Sequence, residues 1–434
     1  MKTTLLPLLT AIFFGFHAQA QQNVPTQVVE KEYIERVLNT LASDDMRGRH
    51  ALSADAERAA DFLASEFQAA GLKPYTENGF KQTFSMTKIS RKVSRVAWGG
   101  KELVKTDFLI LGNNEKTTWS ENSDIKVVKI QKSDDFATKF REYARSDQDI
   151  IVLVDPSYAP FIARYNKIYD RDNISNNNHS QSPTKAFILT DKLSSNYTIH
   201  LENDVTTVNM SNVAAVLPGK SKPNEYVVFS SHYDHIGIIP GSEQDSIANG
   251  ADDDASGTTA VLSLAKYYKK QDNNERTLIF VAFTAEEIGM YGSRYFSNNI
   301  NADDVVAMIN IEMIGKDAKF GPNSLYITGY DRSNLGELMQ KNLQGSNFTF
   351  HPDPYPQQNL FYRSDNKVLA ELGVPAHTFS TSQIDNDTFY HTVKDEVETL
   401  DIENIKSSIE AIALGANGIV NGTQTPSRVE KLKD

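Results

Sequence analysis

The chain has 434 residues, of which 40% are hydrophobic, so it is large enough for two domains or for one large domain with an insertion. Its formal net charge of −12 argues against a nucleic-acid partner, because phosphate binding needs clustered lysine and arginine. Cysteine is absent, which excludes disulfides, thiolate metal sites and a cysteine nucleophile, so any metal must be held by His, Asp and Glu.

Residues 1–20 are predicted to be a secretory signal peptide. Lys2 gives a positive start, an apolar run follows over 5–16, and Ala18-Gln19-Ala20 is a small-residue cleavage pattern. The apolar run is shorter than the roughly 20 residues that a membrane span needs, and no later stretch reaches that length. We therefore expect an exported protein, periplasmic or extracellular, without a membrane span.

Two helices are predicted after the signal, over 29–41 and 54–70, in a first part of the main domain that covers 21–89. In the second helix apolar residues recur at helical spacing, and Gly71 follows as a stop signal. Between 90 and 208, short strand-like runs surround one amphipathic stretch, DDFATKFREYARS. This segment is predicted to be a small inserted domain.

Residues 209–434 are predicted to form the main part of the large domain, in which strands and helices alternate. The apolar runs NVAAVLPG, EYVVFSS, RTLIFVAFT and VVAMINI are predicted strands, and helices are predicted over 255–269 and 402–414. Near-continuous apolar strands between helices indicate an α/β fold with a mixed, mostly parallel sheet covered by helices. In such sheets ligands bind beyond the carboxyl ends of the strands.

Polar residues with possible chemistry follow three of these strands. EYVVFSS ends at His232, RTLIFVAFT leads to Glu286 and Glu287, and VVAMINI ends at Glu312. The acidic run 252–254 precedes a helix on the same side of the sheet. Each of these alone is typical of a helix cap, a solvated turn or a structural histidine. Their coincidence at strand ends favours a common site.

The histidines differ in what their surroundings indicate. His232 is followed by Asp234 at a spacing that allows a carboxylate to accept the second ring N–H and fix the metal-binding tautomer. His391 lies in a loop before the last helix and has no clear packing role. His235 and His351 receive no assignment from the sequence.

The segments HYDH, GADDDASG, FTAEEIGMYGS, NIEMIG and YHT, in this order and spacing, resemble the co-catalytic zinc exopeptidase family of bacterial leucyl aminopeptidase and glutamate carboxypeptidase. The resemblance covers about 212–422, together with the N-terminal helices and LASDDMRGR. It implies a mixed, mostly parallel sheet sandwiched by helices. In this family a protease-associated-like domain is often found where this chain has 90–208.

The resemblance also implies two zinc ions and their ligands. One zinc would be bound by Asp253, Glu287 and His391. The second would be bound by His232, Asp253 and Glu312, so that Asp253 bridges the two ions. The family usually has Asp where this chain has Glu312, whose extra methylene lengthens its reach.

Other roles are implied for the residues beside these ligands. Glu286 is implied as the general acid/base and Asp234 as the partner of His232. A cis peptide bond is implied between Asp253 and Asp254, whereas Asp252 is expected to be an ordinary helix cap.

The implied ligands suit hydrolysis of a peptide bond. Oxygen and imidazole ligands are typical of zinc, and catalytic zinc keeps an open position for water. Two zinc ions carry four positive charges, which three carboxylates and a bridging hydroxide would balance. The resemblance therefore implies a zinc exopeptidase acting on peptides, and an aminopeptidase in particular, because that activity is common among the relatives.

Four alternatives stay open. A carboxypeptidase would need a cation such as Arg363 for the substrate's terminal carboxylate. A glutaminyl cyclase of the same fold uses a single zinc, but animal-type cyclases have a tryptophan where this chain has Tyr390. A metal-free binding protein is disfavoured, because close carboxylates without a cation are costly. An enzyme acting on an amino sugar or another small amide also fits the ligands.

Overall fold

The computed structural model describes residues 29–169, 172–176, 182–241 and 245–432. The predicted signal peptide, 1–20, lies outside the described residues. Within the described part, no helix is both long enough and apolar enough to cross a membrane.

The described residues form ten helices, four of which were predicted and begin within two residues of their predicted starts. They are α1 Lys31–Leu41, α2 Ala54–Ala69, α3 Phe136–Ala144, α4 Ala159–Tyr169, α5 Gly257–Gln271, α6 Tyr291–Asn298, α7 Leu335–Asn342, α8 Asn366–Glu371, α9 Ile402–Gly415 and α10 Asn417–Val420. The second of them begins after Ser53, whose hydroxyl accepts hydrogen bonds from the backbone N–H groups of Asp55 and Ala56. It ends before Gly71, which has a φ of +72°.

The strands include two that are unusually long. They are β1 Lys73–Pro74, β2 Lys81–Trp98, β3 Lys101–Glu102, β4 Phe108–Leu111, β5 Lys116–Ser120, β6 Lys126–Ile130, β7 Ile150–Val154, β8 Asn173–Asn176, β9 Lys185–Leu189, β10 Tyr197–Leu217, β11 Lys222–His232, β12 Gly237–Ile238, β13 Ile247–Ala248, β14 Arg276–Phe283, β15 Val305–Ile311, β16 Ser324–Ile327, β17 Thr349–Pro352 and β18 Ala376–Ser380.

A large mixed sheet forms the centre of the molecule, which confirms the predicted fold class. Its strand order is β17-β16-β18-β15-β11-β14-β10-β2-β3. The four central strands, β18, β15, β11 and β14, run parallel to one another. Antiparallel pairing of β10 with β14 and of β16 with β18 makes the sheet mixed.

Both faces of this sheet are buried, as the apolar strands predict. In β14, Leu278, Phe280 and Ala282 belong to one apolar cluster, with residues of α1, α2, α5 and α9. The alternate residues Ile279 and Val281 belong to another, with residues of α6 and α8. Successive side chains of a strand point to opposite faces, so a wholly apolar strand requires helices on both sides.

A second sheet, of order β4-β9-β7-β6, lies between β2 and β10 in the sequence. It has its own apolar cluster, in which Phe136 of α3 and Ile162 of α4 pack with strand residues. The long strands β2 and β10 are antiparallel partners from Lys81 to Trp98, and they run through the predicted boundaries at 90 and 208. The division into domains at those residues therefore stays a prediction.

The parallel strands bring their carboxyl ends to one edge of the large sheet. β11 ends at His232, β14 is followed by Glu286 and Glu287, and β15 is followed by Glu312. The irregular turn 251–256 stands at the same edge, directly before α5. This is the edge at which the sequence analysis expects the site.

Candidate metal centre

One group of potential ligands consists of His232, Asp253 and Glu312, all of them largely or fully buried. Their ligand atoms lie within 4.8 Å of one another, and His232 Nε2 is 3.2 Å from Asp253 Oδ1. Ligand atoms that share one zinc each lie about 2.0–2.2 Å from it, which places them at separations of this size. The group coincides with one of the two implied ligand sets.

A second group uses the other oxygen of Asp253. His391 Nε2 lies 3.2 Å from Asp253 Oδ2 and 3.1 Å from Glu287 Oε2. Asp253 thus presents one oxygen to each group, as a bridging carboxylate would. The peptide bond between Asp253 and Asp254 is cis, as the resemblance implies.

His235 also belongs to this site, and the sequence analysis missed it. The side chain is fully buried, and its Nδ1 lies 2.8 Å from Glu287 Oε1 and 3.8 Å from Asp253 Oδ2. Neither ring nitrogen forms a hydrogen bond within the described residues. The available signal was its position in HYDH, directly beyond the strand end that carries His232.

The buried polar atoms at the site fit a cation. Five of them have no hydrogen-bond partner among the described residues: both ring nitrogens of His235, Nε2 of His391, Oε1 of Glu287 and Oε2 of Glu312. Buried polar atoms normally have partners, and buried carboxylates are paired or coordinate metals. A donor set of imidazole nitrogen and carboxylate oxygen suits zinc.

The electrostatics of the site distinguish its carboxylates. Burial raises the pKa of Glu286 well above its ordinary value. Burial acts in the same direction on Asp253, but contacts with His232 and His391 hold the pKa of that carboxyl well below its usual range. Burial therefore favours the protonated form of Glu286, whereas the neighbouring histidines favour the charged form of Asp253.

Residues 212–415 match peptidase family M28. A probable zinc metalloprotease of Leptosphaeria maculans is 34% identical over 110 residues, which are 25% of either chain. Leucine aminopeptidase 1 of Paracoccidioides brasiliensis is 30% identical over 207 residues, 44% of this chain and 51% of that protein. The chain spans about a quarter of the length of the first curated relatives it matches.

Two solved structures share the fold of this chain. The aminopeptidase from Aneurinibacillus sp. strain AM-1 has a TM-score of 0.56 at 18% identity, over 93% of this chain and 95% of that one. A zinc aminopeptidase from Bacillus subtilis has a TM-score of 0.54 at 15% identity, over 93% of this chain and 99% of that one.

Asp234 has a different partner from the one that the resemblance implies. Its carboxylate accepts hydrogen bonds from the backbone N–H groups of Glu286, at 3.1 Å, and Glu287, at 3.4 Å. His232 Nδ1 lies 3.9 Å from this carboxylate but 3.1 Å from the main-chain carbonyl of Asp234. The carbonyl therefore orients the His232 ring, and the carboxylate holds the turn that carries Glu286 and Glu287.

Asp252 is not the solvated helix cap that the sequence suggests. It is fully buried, and its Oδ1 accepts a hydrogen bond of 2.7 Å from the backbone N–H of Gly315. Asp395 accepts hydrogen bonds of 3.0 Å from the backbone N–H groups of both Asp252 and Asp253. The carboxylates of Asp252 and Asp395 thus hold the acidic turn in place through backbone N–H groups.

Arg49, in the segment LASDDMRGR, braces the same turn from the other side. Its fully buried guanidinium donates to the carbonyls of Leu41, Tyr233, Asn249 and Gly250, at 2.5–3.0 Å. These carbonyls belong to the end of α1, the segment after β11 and the residues before the acidic turn. One side chain therefore joins three segments around the site.

Arg49→Met should lower the free energy of unfolding by about 3 kcal/mol or more, because several buried carbonyls would lose their donor, at about 1–3 kcal/mol each. Urea denaturation in the presence of a chelator measures this free energy of unfolding without any contribution from bound metal. The matched control is Arg95→Met, at an exposed arginine of β2, which should change stability by less than about 0.5 kcal/mol. A similar small change in both variants would contradict the bracing role.

Proposed function

We propose that this chain is a zinc-dependent aminopeptidase that removes single residues from the N-termini of peptides. The observation that carries this proposal is the pair of ligand groups joined by Asp253, with Glu286 beside them at the carboxyl edge of the sheet. The match of residues 212–415 to peptidase family M28 supports hydrolysis of peptides, and the aminopeptidase names of relatives and fold neighbours support attack at the N-terminus.

The proposed centre holds two zinc ions. His232, Asp253 and Glu312 would bind one, and Asp253, Glu287 and His391 the other. When bound, a zinc pair lowers the pKa of a water molecule and polarises the scissile carbonyl. A single-zinc glutaminyl cyclase would leave one group without its cation, and the unpartnered buried Oε2 of Glu312 argues against that alternative.

Glu286 is the proposed general acid/base. Asp234 holds its backbone N–H, and Glu287, the next residue, places it beside the ligand groups. The carboxylate would remove a proton from the attacking water and deliver it to the departing amine. A raised pKa suits both steps, because the acid/base must take up and release a proton near neutral pH.

We also propose that the protein is exported and that 90–208 is a separate inserted domain. Export is supported by the signal-peptide pattern of 1–20. The insertion is supported by the sheet β4-β9-β7-β6, which has its own apolar cluster.

Glu286→Ala should keep its zinc and lose turnover by about 100- to 10,000-fold, since general acid/base catalysis contributes that much. Metal analysis of the purified variant and hydrolysis of aminoacyl p-nitroanilides measure the two effects. Glu337→Ala, at an exposed glutamate of α7, is the control and should retain full activity. Near-normal turnover in Glu286→Ala would contradict the assigned role.

Wild-type protein should bind two zinc ions per chain, and Glu312→Ala should bind one. The metal-free protein is titrated with zinc against a chromophoric chelator, and bound zinc is counted after gel filtration. One zinc in the wild type, or two tightly bound ions in Glu312→Ala, would contradict the proposed two-ion centre.

His235→Ala should weaken zinc binding in the group of Glu287 by about 10- to 100-fold, as expected when a residue that orients a ligand is lost. His235 Nδ1 lies 2.8 Å from Glu287 Oε1, so the buried ring limits where this carboxylate can lie while Oε2 faces His391. The same chelator titration measures the change. His351→Ala, outside the site, is the control, and equal affinities in the two variants would show that His235 has no role in binding.

A further inference from the structure

A small pocket opens beside the ligand groups. Glu312 forms part of one wall, and Tyr390, whose ring stacks on that of His391 at 3.9 Å, forms part of another. A substrate whose scissile carbonyl lies at the ligand groups therefore has this pocket within reach of its neighbouring atoms. Arg363 and Ser382 also line the pocket.

Arg363 brings an unneutralised positive charge to the pocket. Its side chain is exposed, and within the described residues no carboxylate forms an ion pair with its guanidinium. Arginine carries a permanent charge, and its planar donors match a carboxylate with two parallel hydrogen bonds. Such a cation at the edge of a substrate pocket favours the binding of an anionic group of the substrate.

Ser382 adds a hydrogen-bond donor that has no partner. The residue is 4% exposed, and its Oγ forms no hydrogen bond with the described residues. Its backbone N–H is already used, since it donates to Ser380 Oγ at 3.1 Å. A buried hydroxyl without a partner is unfavourable, so an acceptor in the pocket would relieve it. A carboxylate can accept hydrogen bonds from both the guanidinium of Arg363 and the hydroxyl of Ser382, whereas an apolar side chain can accept neither.

The size of the pocket limits what enters it. Its volume is about 50 Å³. Since one water molecule needs about 10–15 Å³, this is room for about four groups of that size. The side chain of aspartate has four non-hydrogen atoms and that of glutamate has five, so a carboxylate on a short side chain fits this space.

We propose that Arg363 and Ser382 bind a carboxylate of the substrate in this pocket, which makes the site selective for acidic substrates. The inference rests on the proposed peptidase function. The carboxylate has two sources: the side chain of an N-terminal aspartate or glutamate, or the terminal carboxylate of a dipeptide. Bound zinc would balance the carboxylates of the ligand groups, and Arg363 then remains as the uncompensated charge that faces the substrate.

The test compares isosteric substrates that differ only in charge. Zinc-loaded wild type, Arg363→Gln and Ser382→Ala are assayed on the p-nitroanilides of aspartate and asparagine, and on alanyl-alanine and its amide. The wild type should prefer the carboxylate member of one pair, and that pair identifies the source. Arg363→Gln should reduce this preference, measured as the ratio of kcat/KM values, by about 10- to 100-fold, mainly through KM.

The controls separate binding of the carboxylate from folding and general charge. Arg363→Lys should restore part of the preference, and Ser382→Ala should reduce it less than Arg363→Gln does. Lys367→Gln removes a nearby positive charge on α8 and should leave the ratio unchanged. A wild type without preference in either pair, or a preference that survives in Arg363→Gln, overturns the inference.

A binding measurement keeps this inference distinct from the proposed function. Calorimetry compares L-aspartate with L-asparagine, and acetyl-alanine with its amide, on zinc-loaded Glu286→Ala with and without Arg363→Gln. Stronger binding of the carboxylate member, lost in the double variant, supports the inference even if no peptide is hydrolysed. Absence of hydrolysis in the wild type would overturn the proposed function alone, and equal binding within both pairs would overturn the inference alone.

Discussion

Close packing of buried carboxylates at one edge of the sheet is the constraint on which the site depends. Asp253, Glu287 and Glu312 contribute to two groups of ligand atoms, and the histidines among them leave several polar atoms without partners. Charges removed from water are costly unless they are paired, and like charges at short distance add repulsion. A multiply charged cation would compensate the charge of these buried carboxylates. A neutral core or an ordinary salt bridge would not.

The scaffold positions these carboxylates before any metal binds. Asp234 holds the turn of Glu286 and Glu287, Asp395 holds the acidic turn, and Arg49 joins the surrounding segments through their carbonyls. All three side chains form hydrogen bonds with backbone groups. They therefore fix the backbone from which the ligand side chains extend, and they do not occupy the ligand atoms. A centre preorganised in this way pays little ordering entropy when the ion enters.

Much of the fold could be predicted because its signal is local. The wholly apolar run of β14 requires cover on both faces, and the strand ends identify where His232 and Glu312 lie. The supporting contacts could not be predicted, because they join distant residues. Asp252 and Gly315 are 63 positions apart, and Asp253 and Asp395 are 142 apart. His235 is an intermediate case, since its position in HYDH places it just beyond a strand end but does not show that it lies beside Glu287.

The longer side chain of Glu312 and the pocket are linked through one loop. Glu312 still reaches the group of His232 and Asp253, although the family usually has the shorter Asp at this position. Ser364 contacts the Glu312 carboxyl, and its Oγ accepts a hydrogen bond of 2.8 Å from Asn310, which lies in β15. Arg363 is the preceding residue and lines the pocket. A movement of this loop would therefore displace the proposed metal ligand and the proposed anchor of the substrate together, which would couple metal binding to substrate selection.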